Sequence, residues 1–202
     1  MITIASFIQS FENSPFQEFS VTPWLLPQEL PTLLKGLLKT LNEEYAQSGT
    51  VYVHRSATIE SGVTLKGPII IGPDCFIGAH AYLRGGVYLD SKVSIGPACE
   101  IKSSIIFAHS AAAHFNFIGD SIVGSQVNFE AGAITANHYN ERADKRIFIQ
   151  KEGKSWDTGV QKFGALIGDG SRIGANAVLS PGTILEGRSV VDRLELVQQN
   201  PV

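Results

Sequence analysis

From Ile59 onward an aliphatic or aromatic residue recurs at every sixth position: Ile59, Leu65, Ile71, Ile77, Leu83, Leu89, Ile95, Ile101 and Phe107. Glycine often follows, as in Ile71-Gly72, Ile77-Gly78 and Ile95-Gly96. The same period returns at Ile167, Ile173, Leu179, Leu185 and Val191, and the intervening Ile118, Val123 and Phe129 fit it with one slip of phase. A second row runs two residues earlier, through Val63, Ile69, Cys75, Ala81, Val87, Val93, Cys99, Ile105 and Ala111. Side chains two apart on a strand share a face, so each hexapeptide places two residues inward. A strict six-residue period does not trace one face of a helix. It fits a parallel solenoid in which each short strand stacks on its equivalent one turn later. The chain is therefore predicted to be mainly β, a parallel β-helix with coils over 55–137 and 165–193.

Two stretches lie outside the repeat. In residues 1–50, Leu30, Leu33, Leu34, Leu37, Leu38, Leu41 and Tyr45 follow the three-four spacing of one helix face, with Pro31 near the start, where proline is tolerated. This predicts a helical cap over the open end of the solenoid, an edge that β structure must protect; a docking surface for a partner is the other reading. The β-helix unit then spans 51–202, with an insertion at 138–164. The insertion begins polar, alternates through Arg146-Ile147-Phe148-Ile149-Gln150, and can turn at Lys151–Lys154 into Ser155-Trp156-Asp157-Thr158. That is a hairpin pattern. The arm is expected against a neighbouring subunit or over a cofactor cleft, with Trp156 packing either there or on its own solenoid.

Charge narrows the partners. Net charge is −3 and charged residues make up 17% of the chain, which lacks the basic footprint of a nucleic-acid binder. No apolar run is long enough to span a bilayer. The N-terminus has neither the basic nor the apolar region of a signal peptide, so no membrane association and a cytoplasmic location are expected. Cys75 and Cys99 fall on the inward row and read as small core residues.

The candidate chemistry clusters where the period slips. His109 and His114 are five residues apart, a spacing similar to that of the γ-class carbonic anhydrases, but His80 has the wrong offset for a third ligand, and no metal is expected. The stretch Ala112-Ala113-His114-Phe115-Asn116-Phe117-Ile118-Gly119-Asp120 leads to Val127-Asn128-Phe129-Glu130-Ala131-Gly132-Ala133-Ile134-Thr135-Ala136-Asn137. A functional conflict with the fold is expected at such a break. Nitrogen acylation needs a base for the amine proton, a role suited to histidine near neutral pH. It also needs donors for the developing oxyanion, which backbone N–H groups at the Ala131-Gly132 turn can supply. Arg84 and Lys102, eighteen residues apart, are the cations available for a phosphate. A satisfied, buried corner histidine is the structural alternative for His114.

These elements, His…Gly-Asp, Val-Asn-x-x-Ala-Gly and Ile-Thr-x-Asn, resemble the acetyltransferase domain of the bifunctional glucosamine-1-phosphate acetyltransferase/N-acetylglucosamine-1-phosphate uridyltransferases, a hexapeptide-repeat family. The resemblance covers roughly 55–190. It implies a left-handed β-helix with three hexapeptides per coil, a homotrimer, and acetyl-CoA as co-substrate. It further implies His114 as the catalytic base. Arg84, Glu100, Lys102, Phe117, Asn128 and Asn137 would line the acceptor pocket, and Ala131, Lys162 and Ala175 the cofactor site. Phe117 stands where the family has tyrosine and Ala175 where it has serine. The family's long C-terminal arm is not expected here, and with no glycine-rich nucleotide loop in the sequence no uridyltransferase activity is expected either. The expected activity is acetylation of an amino-sugar phosphate such as glucosamine 1-phosphate. The alternative is a non-catalytic module that binds a sugar phosphate or nucleotide sugar.

Overall fold

The computed structural model of the chain describes residues 2–18, 22–151 and 153–198. Short parallel strands stack into a β-solenoid with three faces, numbered here in chain order. Face 1 begins with Val51–His54 and Ile69–Ile71, face 2 with Thr58–Ile59 and Phe76–Ile77, and face 3 with Thr64–Lys66. The long strands Tyr82–Leu89 and Glu100–Ile106 each run from face 3 onto face 1. On face 2, Ile59, Ile77 and Ile95 pair at intervals of eighteen residues, and Ile95, Ala112 and Phe129 at seventeen. Phe129 then pairs with Ile173, forty-four residues on. Subtracting one eighteen-residue coil leaves 26 residues, the length of 138–163, which accounts for the predicted insertion. Inside, Ile77, Ile95, Ile118, Val123, Phe129 and Ile173 form the core with both cysteines, which are buried and free. Burial pushes the Cys75 thiol up to about 11, as expected of an inert core sulfur.

The period slips twice, not once. Leu89 pairs with Ile106 rather than Phe107, so the step from Ile101 is five residues, as is the step from Ile118 to Val123. Both short steps lie at the corner between faces 3 and 1. There Gly85-Gly86 is matched by Ser103 alone, and Ser103 and Asp120 each adopt φ +47. A left-handed residue tightens that corner by one position. Phe107 and Ile105, assigned inward from the period, consequently face outward and are buried in a second cluster on face 1.

That cluster corrects the expected role of the N-terminal segment. Tyr52, Ile70, Tyr88, Ile105, Ile122, Leu166 and Ile184 lie side by side on the outside of face 1. Such an apolar ladder must be covered. The helix Leu26–Leu37 lies along it, with Leu26, Leu30 and Leu34 fully buried, and Phe11 meets Phe107 edge-on with ring centroids 6.4 Å apart. Pro31 comes so close to Gly86 that a Cβ there would lie 3.1 Å from its ring. The helical part of the segment thus covers a lateral face rather than the end. The helix also stops at Leu37, and Tyr45 belongs instead to the strand Tyr45–Ser48, which pairs antiparallel with Val51–His54 and occupies the free edge. Leu30→Ala should cost about 2–5 kcal/mol, read as a lower unfolding temperature.

The arm is a hairpin, with Phe148–Lys151 paired antiparallel to Lys154–Asp157. Its Ile147, Ile149, Val160 and Phe163 are buried on face 1, and Trp156 packs against the same cluster. The Tyr139 hydroxyl donates to the Pro181 carbonyl at 3.0 Å, and Lys151 pairs with Glu186. The apolar side of the arm is therefore used on its own solenoid, and faces 2 and 3 stay uncovered by it.

Candidate active site

Face 3 carries all but one of the polar acceptor-site residues singled out from the sequence. In register across its strands, Lys66 lies opposite Arg84, Arg84 opposite Lys102, and Tyr82, Glu100 and Phe117 form the adjacent row. Arg84 grips Glu100 through Nε and Nη2, both 2.7 Å from Oε1. Lys102 Nζ is 2.6 Å from Asp120 Oδ2. The Asn137 amide donates to the same oxygen, and its own Oδ1 is 3.3 Å from His138 Nδ1. Asp120 also donates its N–H to the Lys102 carbonyl at 2.8 Å and accepts from Gly164 N–H at 2.9 Å. It therefore ties Lys102 to the point where the insertion leaves the solenoid at Asn137 and returns at Gly164. The Lys102 and Asp120 side chains are only 15% and 6% exposed. Removing one partner of so enclosed a pair costs about 3–5 kcal/mol, so Asp120→Ala should lower the unfolding temperature well beyond a surface change.

The corner between faces 2 and 3 is built by left-handed residues stacked coil on coil: Gly62, His80, Ala98, Phe115, Gly132, Asn176 and Leu194 all have φ between +56 and +81. Phe115 is 71% exposed despite that conformation, which disfavours a bulky residue. His114 precedes it. Its carbonyl accepts from Gly132 N–H at 2.8 Å, while its exposed imidazole makes no hydrogen bond among the described residues. The alternative of a satisfied, buried histidine does not hold.

Next to it, the corner N–H groups are of two kinds: two are taken up by a glutamate from the coil below, and those of His114, Ala131 and Arg193 find no partner among the described residues. Glu60 reaches one coil up to accept from Ala79 N–H at 2.7 Å, and Glu130 likewise accepts from Ala175 N–H at 2.9 Å. The equivalent position below Ala131 is Ala113, since Ala112 pairs with Phe129. Alanine has no acceptor to offer. The Ala131 N–H consequently finds no partner among the described residues, in a half-buried turn one coil above His114. An open donor next to a free imidazole can polarise a carbonyl while a proton is removed from its attacker.

Residues 50–85 match the family described as bacterial transferase hexapeptide (six repeats), and residues 164–192 match the one described as hexapeptide repeat of succinyl-transferase. The chain is 32% identical over 171 residues to a bifunctional sugar-1-phosphate nucleotidylyltransferase/acetyltransferase of Sulfurisphaera tokodaii, covering 84% of this chain and 41% of that protein. It is 34% identical over 163 residues to the bifunctional protein GlmU of Methanococcus vannielii, covering 72% and 39%. To the bifunctional protein GlmU of a Janthinobacterium species it is 40% identical over 125 residues, covering 62% and 26%. The chain belongs to the hexapeptide-repeat transferases. It spans about two fifths of the length of the first two of these relatives.

This hexapeptide-repeat protein brings together only part of the residue set that the resemblance implied. Arg84, Glu100, Lys102, Phe117 and Asn137 share face 3 or its edge, and His114 and Ala131 stack at the adjoining corner. Asn128 does not join them. It projects from face 2 beside Arg172, where with Glu130 and Arg193 it lines a shallow cleft of about 510 Å³. Ala175 has its N–H occupied by Glu130, which Arg193 holds from the next coil at 2.7 and 2.8 Å. That guanidinium, with the Ala175 hydrogen bond, keeps the Glu130 carboxyl below the usual range. Lys162 lies exposed on the irregular segment returning from the arm. His109 is on the face 1–face 2 corner with Lys92 and Gln126, all at positive φ, and so is one corner away from His114. Asp120 was missed as a site residue although it ends the Gly-Asp element. Its importance rests on enclosure, which residue type does not disclose.

Proposed function

We propose that this protein is an acyl-CoA-dependent N-acyltransferase that acetylates an amino-sugar phosphate such as glucosamine 1-phosphate. The observation that carries the reading is the open Ala131 N–H stacked one coil above His114, whose exposed imidazole makes no hydrogen bond among the described residues. The acceptor amine attacks the thioester carbonyl, forming the new C–N bond. Ala131 N–H stabilises the oxyanion, and His114 removes the amine proton. The C–S bond then breaks and the sulfur leaves as free thiol, taking a proton. Arg84 and Lys102 supply positive charge for the acceptor phosphate, with Glu100 and Asn137 positioned to meet its hydroxyls. The name of the Sulfurisphaera tokodaii relative, which joins sugar-1-phosphate chemistry to acetyl transfer, supports this acceptor class. The proposed assembly is a homotrimer, as the repeat family implies, with faces 2 and 3 available because face 1 is covered within the chain.

A screen of amino-sugar phosphates for thiol release from acetyl-CoA tests the proposal. Release with at least one acceptor supports it, and none with any acceptor removes it. Arg84→Ala should raise the acceptor KM by about tenfold or more with kcat little changed, because a phosphate contact is made in ground and transition state alike. Steady-state kinetics with varied acceptor measures this split.

A further inference from the structure

We infer that Asn116 is a positioning residue for acyl transfer, which from inside the solenoid aims and polarises the open Ala131 N–H. This rests on the acyl-transfer reading above and adds a residue to it. Asn116 stands on the inward row where face 3 begins. At its level in the other coils stand Val63, Ala81, Cys99, Ala133 and Ala177, which precede the paired positions Thr64, Tyr82, Glu100, Ile134 and Val178. The exposed Glu195 ends the row in the last coil. Within the core, Asn116 is thus an amide among small apolar residues, and it is 2% exposed. Its Nδ2 donates to the Glu130 carbonyl at 2.9 Å; the opposite orientation of the amide would set two oxygens against each other. Its Oδ1 is buried and has no donor among the described residues. An unsatisfied buried acceptor costs stability that alanine at this level avoids. Stability therefore does not account for the residue, and a role at the site does.

The Glu130 carbonyl and the Ala131 N–H belong to one peptide group, which is planar. A hydrogen bond that fixes the oxygen therefore fixes the direction of the N–H. Linked hydrogen bonds also polarise one another, so a peptide that accepts at oxygen donates better at nitrogen. In two other coils the same turn closes on itself. The Gly78 carbonyl accepts from Ala81 N–H at 3.2 Å and the Gly174 carbonyl from Ala177 N–H at 3.1 Å. At Glu130 the Asn116 amide takes the place of that bond. It is the only hydrogen bond to the Glu130–Ala131 peptide among the described residues. Of the open N–H groups of His114, Ala131 and Arg193, that of Ala131 alone lies in a peptide held by a side chain. The peptides on either side are tied to the coil above. Glu130 N–H donates to the Ile173 carbonyl at 2.8 Å, and the Ala131 carbonyl accepts from Asn176 N–H at 3.0 Å. The turn is thus held around one free donor, and Asn116 sets that donor's direction. As the thioester carbonyl gains negative charge, an N–H already aligned stabilises it without reorganising.

Asn116→Ala and Asn116→Val test this, since both residue types occur at the same level, in Ala81 and Val63. Acyl transfer from acetyl-CoA to an amino-sugar phosphate is followed by thiol release in the wild type, in each variant, and in each variant combined with Ala113→Glu. A glutamate at 113 should occupy the Ala131 N–H, as Glu60 and Glu130 occupy the N–H one coil above them. Each variant alone should lower kcat about fivefold or more, the scale of one hydrogen bond. The acceptor KM should stay within about twofold, because Asn116 is enclosed and acts on the transition state alone. With Ala113→Glu already present, the same change should alter kcat by less than about twofold, because the donor it serves is taken. Undiminished kcat in both variants, a loss confined to KM, or an equal loss on the two backgrounds overturns the inference. If the wild type acetylates no amino-sugar phosphate, the acyl-transfer reading fails and NMR decides this one separately. The Ala131 amide resonance should then move in Asn116→Val while those of Ala79 and Ala175 hold. An unmoved Ala131 resonance overturns it.

Discussion

His114→Ala is expected to lower acyl transfer by about 10²–10⁴-fold, the usual contribution of a general base. The fold should not suffer. The side chain is exposed and unbonded, and what the corner uses from this residue is its backbone carbonyl, which accepts from Gly132. The unfolding temperature should therefore stay within the range of an ordinary surface substitution, while kcat and kcat/KM fall together. Such a pattern marks an interaction made in the transition state rather than in binding. Undiminished transfer by this variant would assign the base elsewhere.

Ala113→Glu is the companion test, and its logic comes from the coils on either side. Glu60 and Glu130 occupy equivalent positions and each takes up the N–H one coil above. A glutamate at 113 should do the same to Ala131 and remove the free donor. Loss of one oxyanion donor typically costs about 10²–10³ in kcat, and the new carboxylate adds repulsion of the oxyanion. Stability should hold or rise, because a hydrogen bond is gained. Activity lost without loss of stability separates this from damage to the fold. Kinetics alongside thermal unfolding of the purified variant measures both.

Much of this architecture was legible in the pattern of apolar residues. The six-residue period located the coils, placed Cys75 and Cys99 inside, and isolated the insertion and its hairpin. The misplacements share a physical cause. A five-residue corner depends on Ser103 and Asp120 adopting a left-handed conformation, and neither residue type announces it. Counting by six therefore carried the inward assignment to Phe107, one position too far. Amphipathicity in the N-terminal segment showed that one helix face is buried but not against what. The answer lay in a row not read as a set, Ile70, Tyr88, Ile105, Ile122, Leu166 and Ile184, whose apolar side chains face out of a solenoid already filled within.

The site divides in the same way. Motif order assembled Arg84, Glu100, Lys102, Phe117 and Asn137 on one face because strand stacking converts a spacing of one coil into adjacency. Asn128 was drawn into that set by the same motif but faces the other way, since it opens a face 2 strand. The free Ala131 N–H could not be found by looking for a functional side chain. It exists because position 113 lacks one, and that becomes visible only beside Glu60 and Glu130.

On the proposed function, the His114–Ala131 corner transfers an acyl group to an amine. The most direct measurement is mass spectrometry of the products formed by the wild-type chain from acetyl-CoA and an amino-sugar phosphate, with free CoA quantified in the same samples. The expected products are an N-acetylated sugar and free CoA in equal amounts, both lost in Ala113→Glu and His114→Ala. Free CoA without the amide, or amide formation that persists in both variants, would contradict it.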